Sequence, residues 1–144
     1  MSTPDAIELA LYARMQNDPQ LTELVGSRIY PVRAPQSLDP LTATHIVYRR
    51  TSTDPRPHAG GGGDFSVCNI EVRAKAPPGE YAAVKELGER LRLLLHGWTD
   101  RDSNVSACML ERYTDLNLTP ADGSDQAPEV AVLDFRLQYT QAIT

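Results

Sequence analysis

The chain reads as an α+β domain, an antiparallel or mixed β-sheet of four to five strands with helices packed on one face. Three observations predict it. Two pairs of strand-like runs with period-two apolar alternation flank one long amphipathic helix. The chain opens with two shorter helical patterns separated by a bend. Its 144 residues suit a single core and are short for two, so residues 1–144 are expected to form one domain.

The first helix is expected to run to about Asn17, with Thr3 as cap, Pro4 as first helical residue, and Ile7, Ala10, Leu11 and Met15 near one face. Asp18-Pro19 repeats the cap-then-proline signal, Leu21, Leu24 and Val25 supply a second stripe, and Gly26 is expected to close it in the αL conformation. In "RIYPVRAPQSLDP" the prolines at 31, 35 and 40 exclude helix and central strand, leaving an edge piece near Ile29 or an extended connector. "THIVYRRTS" is β-branched and aromatic, and "DFSVCNIEVRAKA" sets Ser66, Cys68, Ile70, Val72 and Ala74 against Phe65, Val67, Asn69, Glu71 and Arg73. Both are strands. Residues 53–64 are expected to form a long hairpin loop between them. "PPGEYAAVKELGERLRLLLHG" gives the clearest helix, with Tyr81, Val84, Leu87, Leu91, Leu94 and Leu95 on one side and Gly97 ending it. "NVSACMLERY" and "EVAVLDFRLQYT" are two further strands around the acidic stretch "TDLNLTPADGSDQAP".

Net charge is −5, but its distribution says more than its total. Residues 1–50 balance five acids with five arginines, whereas residues 113–144 hold Asp115, Asp122, Asp125, Glu129 and Asp134 against Arg136 alone. Gripping a nucleic-acid backbone takes a basic stripe, so tight DNA binding is not expected. No apolar run approaches the roughly 20 residues of a membrane span, and "MSTPDAIELALYARM" has no basic n-region, so the chain is expected to stay in the cytoplasm. Cys68 and Cys108 each lie in an apolar run and read as core thiols of a reducing compartment.

"HAGGGGDF" raises the possibility of a phosphate cradle. Such a loop leads into a helix N-terminus, and here the glycines lead into a strand and meet Asp64, which repels phosphate. Four adjacent glycines cost much entropy to order, so the loop reads as one that a partner fixes. His45, His58 and His96 lack metal-type spacing, and His96 reads as a helix C-terminal histidine placed for the dipole. Asp115-x-Asn117-x-Thr119 begins like a calcium loop but continues with Pro120 where glycine belongs and Gln126 where glutamate belongs. No catalytic residue, metal or cofactor is therefore expected. Arg49 and Arg50, being adjacent, point to opposite faces of a strand, and Arg56 follows. They are isolated surface arginines or part of a subunit contact, rather than a nucleic-acid site.

Several stretches in one order carry a resemblance. These are Leu24-Val25-Gly26, Arg28-Ile29-Tyr30-Pro31, the "YRRTS" strand from Tyr48, "IEVRA" from Ile70, and the helix from Ala83 to Leu94. Together they resemble the tail-completion or tail-terminator (tail-to-head joining) protein family of long-tailed bacteriophages and prophages. The four-glycine loop and the acidic insertion before the last strand depart from that pattern.

The resemblance implies a non-enzymatic structural virion protein. It would form a ring, usually a hexamer, on the top of the tail tube, end tube polymerisation and offer a surface to the neck. The implied partners are further copies of the chain, the tail tube protein and a neck or head-completion protein, with DNA passing through unbound and no membrane involved. Arg49, Arg50, Arg56, His58, Gly60, Gly61, Gly62, Gly63 and Asp64 are then the candidate subunit or tube interface. Asp115, Asp122, Asp125 and Glu129 are the candidate neck- or channel-facing residues, because no basic residue between 113 and 135 pairs them locally and unpaired acids are not buried cheaply. The alternatives are a small cytoplasmic enzyme or ligand-binding α+β domain, or a monomeric assembly adaptor.

Overall fold

The computed structural model describes residues 6–35, 37–38, 43–57, 64–101, 105–116 and 127–141. Among them the elements are α1 (Ala6–Gln16), α2 (Pro19–Val25), β1 (Ile29–Pro31), β2 (His45–Pro57), β3 (Asp64–Ala76), α3 (Tyr81–Leu95), β4 (Val105–Leu116) and β5 (Glu129–Gln141). The strands form one sheet in the order β1-β2-β3-β5-β4. β1 runs parallel to β2 and every other pair is antiparallel, so the sheet is mixed. β3 and β4 are consequently parallel with β5 between them, and α3 is the crossover that such a connection requires.

All three helices pack on one face, as expected. Ile7, Leu11 and Met15 of α1, Leu21 and Val25 of α2, and Val84, Leu87, Leu91 and Leu95 of α3 share a core with Cys68, Ile70, Val72 and Ala74 of β3 and Leu133, Phe135 and Leu137 of β5. The period-two reading of β3 puts its core set inside, for Ser66 is buried along with these four, but Val67 of the other set is buried as well. Within α3 the apolar stripe is correct except for Tyr81, half exposed at the first turn, whose hydroxyl donates to Asp115 Oδ2 at 3.2 Å.

Local signals succeed where backbone chemistry decides. Asp18 caps α2, its side chain accepting the Leu21 N–H at 3.1 Å, with Pro19 in the first turn. Gly97 ends α3 with φ 83°, and its N–H donates to Cys108 O at 2.7 Å. The Thr3 and Pro4 signals fall outside the described residues. Gly26 has φ 61° and ψ −127°, which is not αL but the first central position of a II′-type turn, and Arg28 N–H donates to Val25 O at 3.1 Å across it.

The hairpin is the main correction. Strand pairing does not stop at Ser52 but continues through a bulge to Pro57 opposite Asp64, so residues 53–57 belong to β2. Prolines 55 and 57 argued for a loop, yet β1 pairs only with Ile46, Val47 and Tyr48. Past Tyr48, β2 is the outer strand on that side, where proline forfeits no ladder bond.

Candidate assembly surfaces

The sheet face away from the helices buries Val47, Val130 and Val132 and sets charged side chains among them. Register puts Lys75 beside Val130, Arg73 between Val47 and Val132, and Arg49, Glu71, Asp134 and Arg112 in one row across four strands. The row sets two carboxylates between two arginines, an order that offsets the Glu71–Asp134 repulsion. Glu71 Oε1 is shared by Arg73 Nε at 2.6 Å and Arg49 Nε at 3.5 Å. Lys75 and Arg33 make no ion pair among the described residues. Burial first, and then the neighbouring Arg73, holds the Lys75 ammonium below its ordinary pKa.

At the β1 end of this face lies a pocket of about 230 Å³ lined by Val32, Arg33, Ala34, Val47, Arg49, Glu71, Arg73 and Lys75. Four cations and one carboxylate make it basic. Its rim holds an unusual backbone. Val32 has φ 67°, its own N–H donates to Tyr48 O at 2.8 Å, and Arg33 N–H returns to Pro31 O at 2.7 Å. That is a γ-turn of the rare positive-φ kind with a β-branched residue at its centre, and the side chain is 65% exposed.

The opposite side carries a cleft of about 600 Å³ between α2 and α3. Helical spacing brings Glu86, Glu89, Arg90 and Leu93 onto one stripe of α3, facing Gln20, Glu23 and Leu24. Leu93 is 58% exposed. Arg90 is engaged by Asp18 through two bonds of 2.7 Å, and Glu89 is paired with Arg92, leaving Glu23 and Glu86 without ion pairs among the described residues. The cleft is therefore acidic over an apolar floor.

The residues named from sequence are distributed as follows. Arg49 stands on the open sheet face, half exposed. Arg50 points to the helix side, with Nε 4.0 Å from Glu8 Oε1 and Nη1 donating to Thr53 Oγ1 at 3.1 Å, so it braces β2 against α1. Arg56 pairs with Phe65 in the ladder and Asp64 opens β3 opposite Pro57. His58, Gly60, Gly61, Gly62 and Gly63 lie outside the described residues, as do Asp122 and Asp125.

Asp115 has no partner nearby in the sequence but finds one across the fold. Its Oδ2 accepts from Lys85 Nζ at 2.6 Å, a residue of α3 that sequence distance hides. The same contact, followed by the Tyr81 hydroxyl, holds the Lys85 pKa above its ordinary value. Glu129 begins β5, and its Oε1 accepts the Gly79 N–H at 3.4 Å. Both contacts lie at the exposed surface on the helix side of the sheet.

Sequence reasoning missed Val32, Arg33 and Lys75 on one side and Glu23 and Glu86 on the other. Its signal was present in "IEVRAKA", where Glu71, Arg73 and Lys75 alternate with core residues and so define a charged second face.

Both cysteines are free and buried. Burial pushes the Cys68 thiol up to about 11 and the Cys108 thiol up to about 12, so both are protonated at neutral pH. Burial likewise lowers the His45 pKa, and its Nδ1 lies 3.0 Å from Ala43 O. His96 is not a free dipole partner, for its Nδ1 accepts the Leu110 N–H at 3.0 Å and ties the end of α3 to β4.

Among solved structures, the chain is similar to one from the virion of a native gene transfer agent particle, with a TM-score of 0.63 and 18% identity over 90% of this chain and 91% of that one. At that identity the likeness is one of fold. No curated protein matches the sequence. The family model described as tail completion protein gp17 matches residues 9–140, nearly the whole chain and all or most of every strand and helix of the fold. The chain belongs to the tail completion protein gp17 family.

Proposed function

We propose that this chain is a structural, non-enzymatic component of a phage-like virion. Its copies form a ring, six by the usual count of such rings, that caps the tail tube, ends its growth and joins the tail to the neck. The family membership carries this reading. Two features of the fold support it. The domain buries its thiols as protonated core groups, and it presents a basic pocket on its sheet side and an acidic cleft on its helix side. A ring of this kind uses heterologous contacts, one side of each subunit meeting a different side of the next.

In this reading residues 1–144 act as one unit in the tail, after assembly in the host cytoplasm. Arg49, Arg56, His58, the glycines 60–63 and Asp64 contact a neighbouring copy or the tail tube protein. Asp122 and Asp125 face the neck protein or the channel, where negative charge lets DNA pass without adhering. Light scattering on the purified chain, alone and with tail tubes, tests the assembly. A ring of about six 15.9 kDa copies is expected, and a chain that stays monomeric in both conditions contradicts the reading.

A further inference from the structure

The sheet-side pocket and the helix-side cleft match each other in sign, in chemistry and in placement. The helix cleft and the sheet-side pocket lie on opposite sides of a two-layer domain. On the sheet side Arg33 and Lys75 have no ion-pair partner among the described residues, and on the cleft side the same is true of Glu23 and Glu86. Val32 is a large exposed apolar residue at the pocket, and Leu93 is one in the cleft. An exposed β-branched residue in a positive-φ γ-turn costs stability in the free subunit, and such strain persists where the position serves a contact.

We infer that the Val32 turn and the basic pocket beside it dock into the α2–α3 cleft of a second copy of this chain. Val32 meets the apolar floor formed by Leu24 and Leu93, while Arg33 and Lys75 approach Glu23 and Glu86. The contact is heterologous, so each copy offers one half on either side and the chain of contacts closes into a ring or runs on as a filament. This inference rests on the ring reading above and adds to it the two surfaces that meet. The apolar pair at the centre supplies affinity and the charges set orientation and partner choice.

Two variants test it, both changed at exposed positions so that folding is preserved. The sheet-side variant carries Val32→Asp and Arg33→Glu, and the cleft-side variant carries Glu86→Arg and Leu93→Asp. Thermal melting close to wild type confirms that each is folded. Each alone is expected to be monomeric by analytical ultracentrifugation, with self-association weakened about a hundredfold or more.

Mixed in equal amounts, the two variants are expected to form a dimer, because the cleft of the first and the sheet face of the second remain intact. Folded variants that assemble like wild type, or a mixture that stays monomeric, overturn the inference and leave the ring reading standing. A wild-type chain that assembles neither alone nor on tail tubes overturns both.

Discussion

The carboxylate of Asp18 receives both Arg90 nitrogens at 2.7 Å and also the Leu21 N–H at 3.1 Å, so one buried side chain caps α2 and locks it to α3. Hydrogen bonding to Arg90 is the largest of the effects that lower its pKa. The sign follows from linkage. A depressed folded pKa means that the stabilisation is complete above the unfolded value near 3.8 and is lost as pH falls through the folded value. Asp18→Ala should lower the melting temperature at pH 7 by more than the loss of an ordinary cap, worth about 1 kcal/mol. Its deficit relative to wild type should shrink in melts taken below about pH 3, and a deficit constant with pH would contradict the account. Val32 offers the reverse case. Val32→Gly removes strain of about 1–3 kcal/mol and gives back about 0.5–1 kcal/mol of chain entropy, so the free subunit should melt higher while self-association weakens. A variant that melts lower would show that the γ-turn is not strained.

Among the elements, α3 is where sequence was most legible and also where it fell short. Its leucine spacing announced the buried stripe, because helical period and burial coincide. Gly88 was not legible as a packing residue. A Cβ at this position would stand 2.1 Å from the Tyr113 hydroxyl oxygen and 2.8 Å from its ring carbon Cζ, so β4 approaches α3 only because no side chain is there. Gly88→Ala gains about 1 kcal/mol of helix propensity but forces Tyr113 aside, and a net loss of about 1–2 kcal/mol in chemical denaturation is expected. Adding Tyr113→Ala should recover part of that loss; failure of the second substitution to help would place the cost elsewhere. The Lys85–Asp115 pair was hidden for a related reason, since it depends on a crossover that brings together residues 30 apart in the chain. The end of β2 was misread because proline was weighed as a loop signal before the sheet order made that strand an edge.

For the whole molecule, the alternation within strands foretold a sheet with helices packed on one face, and the helices sit where that pattern put them. Which exposed residues would converge was not legible, because Val32, Arg33 and Lys75 meet through a parallel edge strand only three residues long, and Glu23 and Glu86 meet through helix packing. The result is a domain with a net charge of −5 that nevertheless turns a basic pocket to one side and an acidic cleft to the other. Such asymmetry suits head-to-tail assembly, and raising the salt concentration should weaken self-association by screening the rim charges while leaving the monomer folded. An association unchanged between about 0.05 and 0.5 M salt would argue for a contact made without these charges. The central claim, that this chain completes the tail, is tested most directly by electron microscopy of particles assembled without it. Tubes of uncontrolled length lacking attached heads are the predicted result, restored to uniform, headed tails when the chain is supplied. Tails of normal length joined to heads in its absence would contradict the account.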